Sequence, residues 1–466
     1  MIPALTSYYH RWYHSRPVGI TSARREELER LHRILYRTAE YFCLNYRDFV
    51  DNYMPLAERD MEILELQEAY PFRAGTWRPD YIITESGELK ICEITSRFFA
   101  HGIFSNWYSE EASRLFMEKH FPGKVRVTQY QDLLDYMMSI LEGKTEIYVL
   151  KSADRTSEIR AYDYFYSQHG CKLTVIESTE VEQRRHEWAR PGVFLANALN
   201  QKDILSFSND TIKAMAEAGM YSEFRNTFLI HDKRFMRLWF NDCFTSRFLN
   251  EEDTAFLRSH AIPTEILSDL ITDSTTQNFS SAVVGQNFFD LFSGEKVLVR
   301  EGEKILPSQI NKQIINNKGK INNKDSINNK DSINDKDNIN KNPYNKTTNF
   351  IVNNKDSFII KPYRLGKSEG VHAGVLTSEE EWKQLLEHPE GMIIQPFLKQ
   401  RTYPCEWEGQ HFDDYLCGMM LCVNDRYFGS GMFRASSLPV TNVGDDRKAC
   451  YLHTDDPEIL ALCDVL

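Results

Sequence analysis

The sequence predicts an α/β protein assembled from α+β subdomains. Three stretches carry that expectation: a helical run over 21–66, a β-hairpin over 78–95, and a strand–helix–strand unit over 146–176. In the first, Thr21 or Ser22 can cap a helix, with Glu26 close behind, and Leu28, Leu31, Ile34 and Leu35 recur at helical spacing. In the second, two β-rich runs, Tyr81–Ile83 and Leu89–Ile94, flank a turn at Glu85-Ser86-Gly87. In the third, Ile147–Leu150 reads as a buried strand and 157–168 as a helix that Gly170 stops. Leu173–Ile176 is then a second strand, which makes a parallel crossover unit. Residues 210–260 return to helix. Further on, Phe358–Ile360 and Met392–Ile394 read as strands on either side of a helix capped by Thr377 or Ser378 and ending near Leu386. More strands follow near 415–423 and 426–433.

With 466 residues the chain has room for roughly two to four domains. It divides into 1–145, a helical region with the acidic hairpin; 146–205, the strand–helix–strand unit; 206–310, mainly helical; 311–348, an insertion; and 349–466, the lysine strand and those that follow it. The insertion is rich in Asn and Lys, and the hexapeptide that begins at Ile321 repeats at Ile327 and more loosely at Ile333. It has little to bury, so it reads as disordered. The degenerate copies lack the glycines of a β-helix repeat.

Hydrophobic residues at 42% and aromatics at 12% are those of a globular protein. A net charge of −12 argues against general nucleic-acid binding, which calls for a basic stripe. It is compatible with a cationic substrate, although plain solubility explains it more simply. The nine cysteines show no zinc spacing and read as free thiols in a reducing compartment. No signal peptide is read at the start, and no run approaches the ~18 apolar residues that span a bilayer. The expected location is cytoplasmic.

Five segments could carry chemistry. The first is Arg78-Pro79-Asp80 with Glu93-Ile94-Thr95 across the hairpin. The side-chain period of two puts Arg78 with Asp80, and Glu93 with Thr95, on common faces. Two neighbouring carboxylates call for a cation such as Mg²⁺, and Arg78 can fork onto a phosphate or carboxylate. A charged surface hairpin is the plainer reading. The second is Lys361 at a strand end, followed by Gly366-Lys367-Ser368-Glu369-Gly370. A lysine and a glycine-containing loop can hold phosphates, although the pattern is not a Walker loop and an ordinary turn also fits. The third is Ile393-Ile394-Gln395-Pro396-Phe397, an apolar strand that suits an adenine slot or simply a core strand. The fourth is Gly429 to Arg434 with Thr441, Asn442 and Arg447, suited to an anionic transition state or to a surface hairpin. The fifth is His231-Asp232-Lys233-Arg234, where Lys233 can contact phosphate or merely open a helix. No Gly-x-Ser-x-Gly elbow or Cys/His signature supports nucleophilic catalysis, and His101 and His169 read as structural.

In this order the five segments resemble the circularly permuted ATP-grasp family, whose best-known members are the glutathionylspermidine synthases. In that family an Arg-x-Asp pair opens the hairpin and a Glu-x-Asn pair closes it, before rather than after the lysine strand. A charged segment, here Ala153 to Ile159, precedes its strand–helix–strand unit. This chain departs in placing Thr95 where the family has Asn. The resemblance implies an ATP-grasp fold in circularly permuted order, with a Rossmann-like pre-ATP-grasp unit. It also implies ATP and Mg²⁺ as cofactors. Asp80, Glu93 and Thr95 would serve the metal. Lys361, Lys233, Gly366, Lys367, Ser368, Gly370, Gln395 and Phe397 would serve the nucleotide, and Arg78 and Arg434 would be catalytic. The implied activity is an ADP-forming carboxylate–amine ligase. A small-molecule carboxylate and an amine or peptide are its expected partners, with neither nucleic acid nor membrane. An inactive ATP-binding regulator or scaffold and an ATP-dependent phosphotransferase are the alternatives.

Overall fold

The computed structural model describes residues 13–99, 102–104, 106–124, 128–153, 159–272, 346–366, 368–407, 409–441 and 447–466. The elements follow from apolar periodicity and caps. Strand β1 (Val18–Ile20) leads into helix α1 (Ser22–Asn45), where the Thr21 hydroxyl accepts the Arg24 amide. Leu28, Leu31, Ile34, Leu35 and Phe42 form its buried stripe. Strands β2 (Thr76–Ile83) and β3 (Leu89–Thr95) form the antiparallel hairpin, and Gly87 at φ +86° makes its turn. Strands β4 (Glu146–Lys151), β5 (Lys172–Glu177) and β6 (Val193–Ala198) lie parallel in the order β5-β4-β6. Helix α2 (Ile159–Gln168) makes the crossover from β4 to β5.

Strands β7 (Glu265–Ile266), β8 (Phe358–Pro362), β9 (His372–Ala373) and β10 (Met392–Pro396) build an antiparallel sheet in the order β7-β10-β8-β9. Helix α3 (Glu379–Glu387) precedes β10, with Ser378 as its cap. The chain ends in β11 (Thr402–Trp407), β12 (Gln410–Val423), β13 (Arg426–Ser430), β14 (Phe433–Ser436), β15 (Arg447–Ala449), β16 (Tyr451–His453) and β17 (Asp464–Val465). The largest sheet runs β15-β14-β12-β2-β3, with β11 and β13 also on β12. β1 lies parallel between β16 and β17.

The chain forms two compact units: residues 1–262, 363–369 and 398–466, and residues 263–362 and 370–397. In the first, Phe99, Phe104, Leu133, Val149 and Tyr166 are among the buried residues of one core. In the second, Leu267, Ile351, Phe358, Ile360, Trp382 and Ile394 pack together. The mixed α/β class is therefore observed. Every residue of β2 is buried, which rules out the surface-hairpin alternative. The strand expected over 426–433 breaks between β13 and β14 at Gly431, where a Cβ would stand 2.6 Å from Met419 Cγ. The helical stretch over 210–260 contains a π-turn at Asn226–Ile230. A helix at Lys346–Asn353 takes in the last residues of the expected insertion; the rest of it lies outside the described residues, as do His101, Lys367, Asn442 and most of 153–159. All nine cysteines are free thiols, and most are buried. Among the described residues no helix is long and apolar enough to cross a membrane.

Buried histidines make the first unit acid-sensitive. His32, whose ring lies 5.3 Å from that of Trp77, and His453 on β16 are each pushed by burial, with a nearby arginine, from 6.5 down to about 4. A depressed folded-state pKa adds stability that is complete above about 6.5 and lost as pH falls toward 4, because only the unfolded chain takes up the proton. Each histidine accounts for roughly 3 kcal/mol of that loss. We expect urea midpoints to fall steeply between pH 6.5 and 4 and the slope to flatten in His32→Phe and His453→Phe; an unchanged slope in both variants contradicts this.

Candidate functional site

β2 and β3 carry the site in the first unit. Their register pairs Arg78 with Thr95 and Asp80 with Glu93, so all four side chains share one sheet face. A bulge skips Cys92 between the Glu93 and Ile91 pairings, and such bulges re-aim side chains beside functional sites. On the other side of β2, Met419 opposes Asp80 and Cys417 opposes Ile82. β14 brings Arg434 opposite Cys417. On the far face, Gly418 opposes Tyr81. A Cβ there would stand 2.4 Å from the Tyr81 ring, so only glycine lets β12 and β2 pair at that point.

Asp80 is fully buried and held by two guanidinium groups. Arg78 forks onto it through Nε–Oδ1 at 2.7 Å and Nη2–Oδ2 at 2.9 Å, and Arg434 donates Nη2 to Oδ2 at 2.6 Å. Arg434 also approaches Cys417 Sγ at 3.2 Å, while its buried Nε has no partner. Burial opposes the charge on Arg434, but Cys417, Asp80 and Glu93 outweigh it and hold the guanidinium more firmly protonated than usual. The Cys417 thiol is lowered by its hydrogen bond with Cys92 and by Arg434, against its burial.

The edge of this face is wetter. The Glu93 side chain is 23% exposed, and its Oε2 lies 3.7 Å from Lys233 Nζ. The Lys233 ammonium donates to the Leu365 carbonyl and its backbone amide to the Tyr363 carbonyl. Lys233 follows the π-turn, a feature common at functional sites. Beside it, His231 Nδ1 donates to Ile94 O at 3.3 Å; burial, then Arg97 and Lys233, pushes its pKa well below the usual value. A second buried carboxylate, Asp232, takes Arg234 at 2.7 Å and Arg364 at 3.3 Å, and Arg364 also grips Asp60. The segment from Tyr363 to Gly366 is thereby pinned in the first unit, with Gly366 beside the Arg97 guanidinium.

The first unit thus gathers Arg78, Asp80, Glu93, Thr95, Lys233 and Arg434, with Gly366 and Ser368 on its short loop; Ser368 has φ +59°. The other expected residues belong to the second unit. Lys361 on β8 opposes Ile393, and Gln395 on β10 opposes Ile359, so the two share one face while Phe358, Ile360 and Ile394 fill the core on the other. Gln395 Nε2 donates to Thr264 at 2.8 Å, and its Oε1 is buried without a partner. The Phe397 amide donates to Ser357, and Gly370 turns against Pro362 at φ +67°. Sequence reasoning missed Arg97, Cys92, Cys417, Arg364 and Asp60 as members of these networks. Arg364 and Asp60 meet across 304 residues, which local sequence does not show.

The lone carboxylate between two arginines makes the Asp80 site asymmetric. Replacing Asp80 with Asn leaves two largely buried guanidinium groups without their counter-charge, whereas Glu93→Gln alters a partly solvated group. Asp80→Asn should lose about 3–5 kcal/mol in denaturant unfolding, and Glu93→Gln no more than about 1 kcal/mol. Equal losses contradict the assignment of the ion pairs.

A family model described as AnkG N-terminal domain matches residues 30–229. Comparison with curated proteins finds no match. The match corrects the resemblance drawn from the motifs, because the family it names is not the circularly permuted ATP-grasp family or the glutathionylspermidine synthases. The hairpin on which that resemblance rested lies inside the matched stretch. Arg-x-Asp and Glu-x-Thr are short patterns, so their order alone did not identify the family.

Proposed function

We propose that the first unit binds a polyanion on the face of β2 and β3, and that the protein is an ATP-dependent carboxylate–amine ligase. One observation carries the reading: two guanidinium groups share the single carboxylate of Asp80, and the Arg434 Nε is buried with a donor to spare. A phosphate or carboxylate would satisfy both the charge and the donor. The oxygen donors of Asp80, Glu93 and Thr95 are of the hard kind that Mg²⁺ prefers, and they lie on one face. Glu93 at the solvated edge, with Thr95, would hold the ion, since the Asp80 oxygens already accept from arginine. When bound, Mg²⁺ would screen the charge of nucleotide phosphates.

The chain's own groups then have defined tasks. Arg78 and Arg434 orient the substrate carboxylate and stabilise the anionic transition state. The carboxylate attacks the terminal phosphate of ATP, which releases ADP and leaves an acyl phosphate. An amine then attacks the acyl carbon, giving an amide, phosphate and a proton. The pinned segment Tyr363–Gly366 keeps water from the acyl phosphate. Lys361 and Gln395, which share one face in the second unit, have the chemistry to bind phosphate and base. The finer fold expectation, an ATP-grasp layout, is part of this proposal as a geometry and not as a kinship.

The engagement of Asp80 by both arginines also favours a second reading, an ATP-binding protein without turnover. Calorimetry with Mg²⁺–ATP followed by ADP release with panels of acids and amines separates the two. The ligase predicts binding that weakens at least tenfold in Lys361→Ala, and amine-dependent ADP release abolished by Glu93→Gln. Binding without turnover supports the second reading. No binding by folded wild type overturns both.

A further inference from the structure

We propose that His14, Cys405 and Asp414 form a site for a borderline-soft divalent cation of the zinc class, away from the β2–β3 face. The three are buried, and one ligand atom from each lies within 4.8 Å of the others. Three separate constraints bring them there. On the β11–β12 pair, Tyr403 opposes Asp414 and Cys405 opposes Phe412, so Cys405 and Asp414 occupy one sheet face a diagonal step apart. The His14 amide donates to Lys448 O at 2.7 Å, next to the bridge between Tyr13 and Lys448, which docks the segment before β1 against β15. The imidazole then reaches Asp414, with Nε2–Oδ2 at 2.9 Å.

One thiol, one imidazole and one carboxylate are the donors zinc selects. With bonds of about 2.0–2.3 Å, tetrahedral ligand atoms stand roughly 3.3–3.8 Å apart, so small side-chain shifts complete the site. Two further observations point to a ligand. His14 Nδ1 has no partner, and the residue is only 5% exposed, so water does not satisfy it. Arg447 grips Asp414 through Nε–Oδ2 at 2.7 Å and Nη2–Oδ1 at 2.5 Å while its guanidinium lies 4.1 Å over the Phe412 ring, which fixes the carboxylate as outer-shell donors do for metal ligands. Cys405 also lines a surface cavity with Ser15, Arg16 and His411, which gives an ion a way in. The bound ion would lock the segment before β1 to the sheet.

The test uses the full chain, stripped with a chelator and titrated with zinc chloride by calorimetry, with Co²⁺ as the optical probe. We expect a single equivalent bound, a thiolate-to-cobalt charge-transfer band, and affinity lowered by more than about 100-fold in Cys405→Ala and in His14→Gln, since outer-shell losses alone reach that size. Absence of the band in folded wild-type protein overturns the proposal, and this readout decides even where a variant fails to fold. Zinc affinity unchanged in both folded variants also overturns it and leaves a hydrogen-bonded His14–Asp414–Arg447 network.

Discussion

The first unit is organised around a carboxylate that cannot leave its arginines. Asp80 sits on β2, between β12 and β3, with no exposed surface. An isolated charge at that position would cost several kcal/mol in lost hydration, so the strand can be central only if its charge is answered within the sheet. Arg78 answers from the same strand two residues earlier, and Arg434 answers from β14, two strands away. The second contact ties the register of β14 and β12 to that of the hairpin. A slip by one residue in any of the three strands would turn a charge into the core. Gly418 and Tyr81 make the same constraint sterically on the opposite face.

The same logic recurs around Asp232, buried and answered by Arg234 and Arg364. Here the consequence is local order of a loop. Arg364 and the Lys233 contacts to Tyr363 and Leu365 fix the segment from Tyr363 to Gly366, which a glycine-containing sequence would otherwise leave free. Just beyond it, φ is positive at both Ser368 and Gly370.

How much of this was legible depends on range. Helix α1, the β2–β3 hairpin, the β4–α2–β5 crossover and the α3 cap at Ser378 are set by residues close in sequence, and periodicity and caps read them correctly. The facing of Asp80 and Glu93 follows from the hairpin and was legible for the same reason. The arginine contacts to Asp80 and Asp60 were only partly legible, because Arg434 and Arg364 lie hundreds of residues from their partners. The family was misread because motif order weighed short, individually common patterns as if they were independent. The close approach of Gly431 to Met419 was invisible because it involves a side chain of a neighbouring strand.

The arrangement at Asp80 also separates a stabilising ion pair from a binding site. A pair built for stability alone would satisfy every buried donor, since each unmet donor costs about 1–3 kcal/mol. Here the Nε of the second guanidinium is left without a partner, and the Arg434 side chain stays 13% exposed. In a chain of net charge −12, surface electrostatics gives no reason to concentrate positive charge at one interior face. The surplus is intelligible if an anion completes it. The strand register that makes Asp80 tolerable in the core thus places Arg434 on β14 and Glu93 on β3 on one face of the same sheet, with β12 and β2 between them.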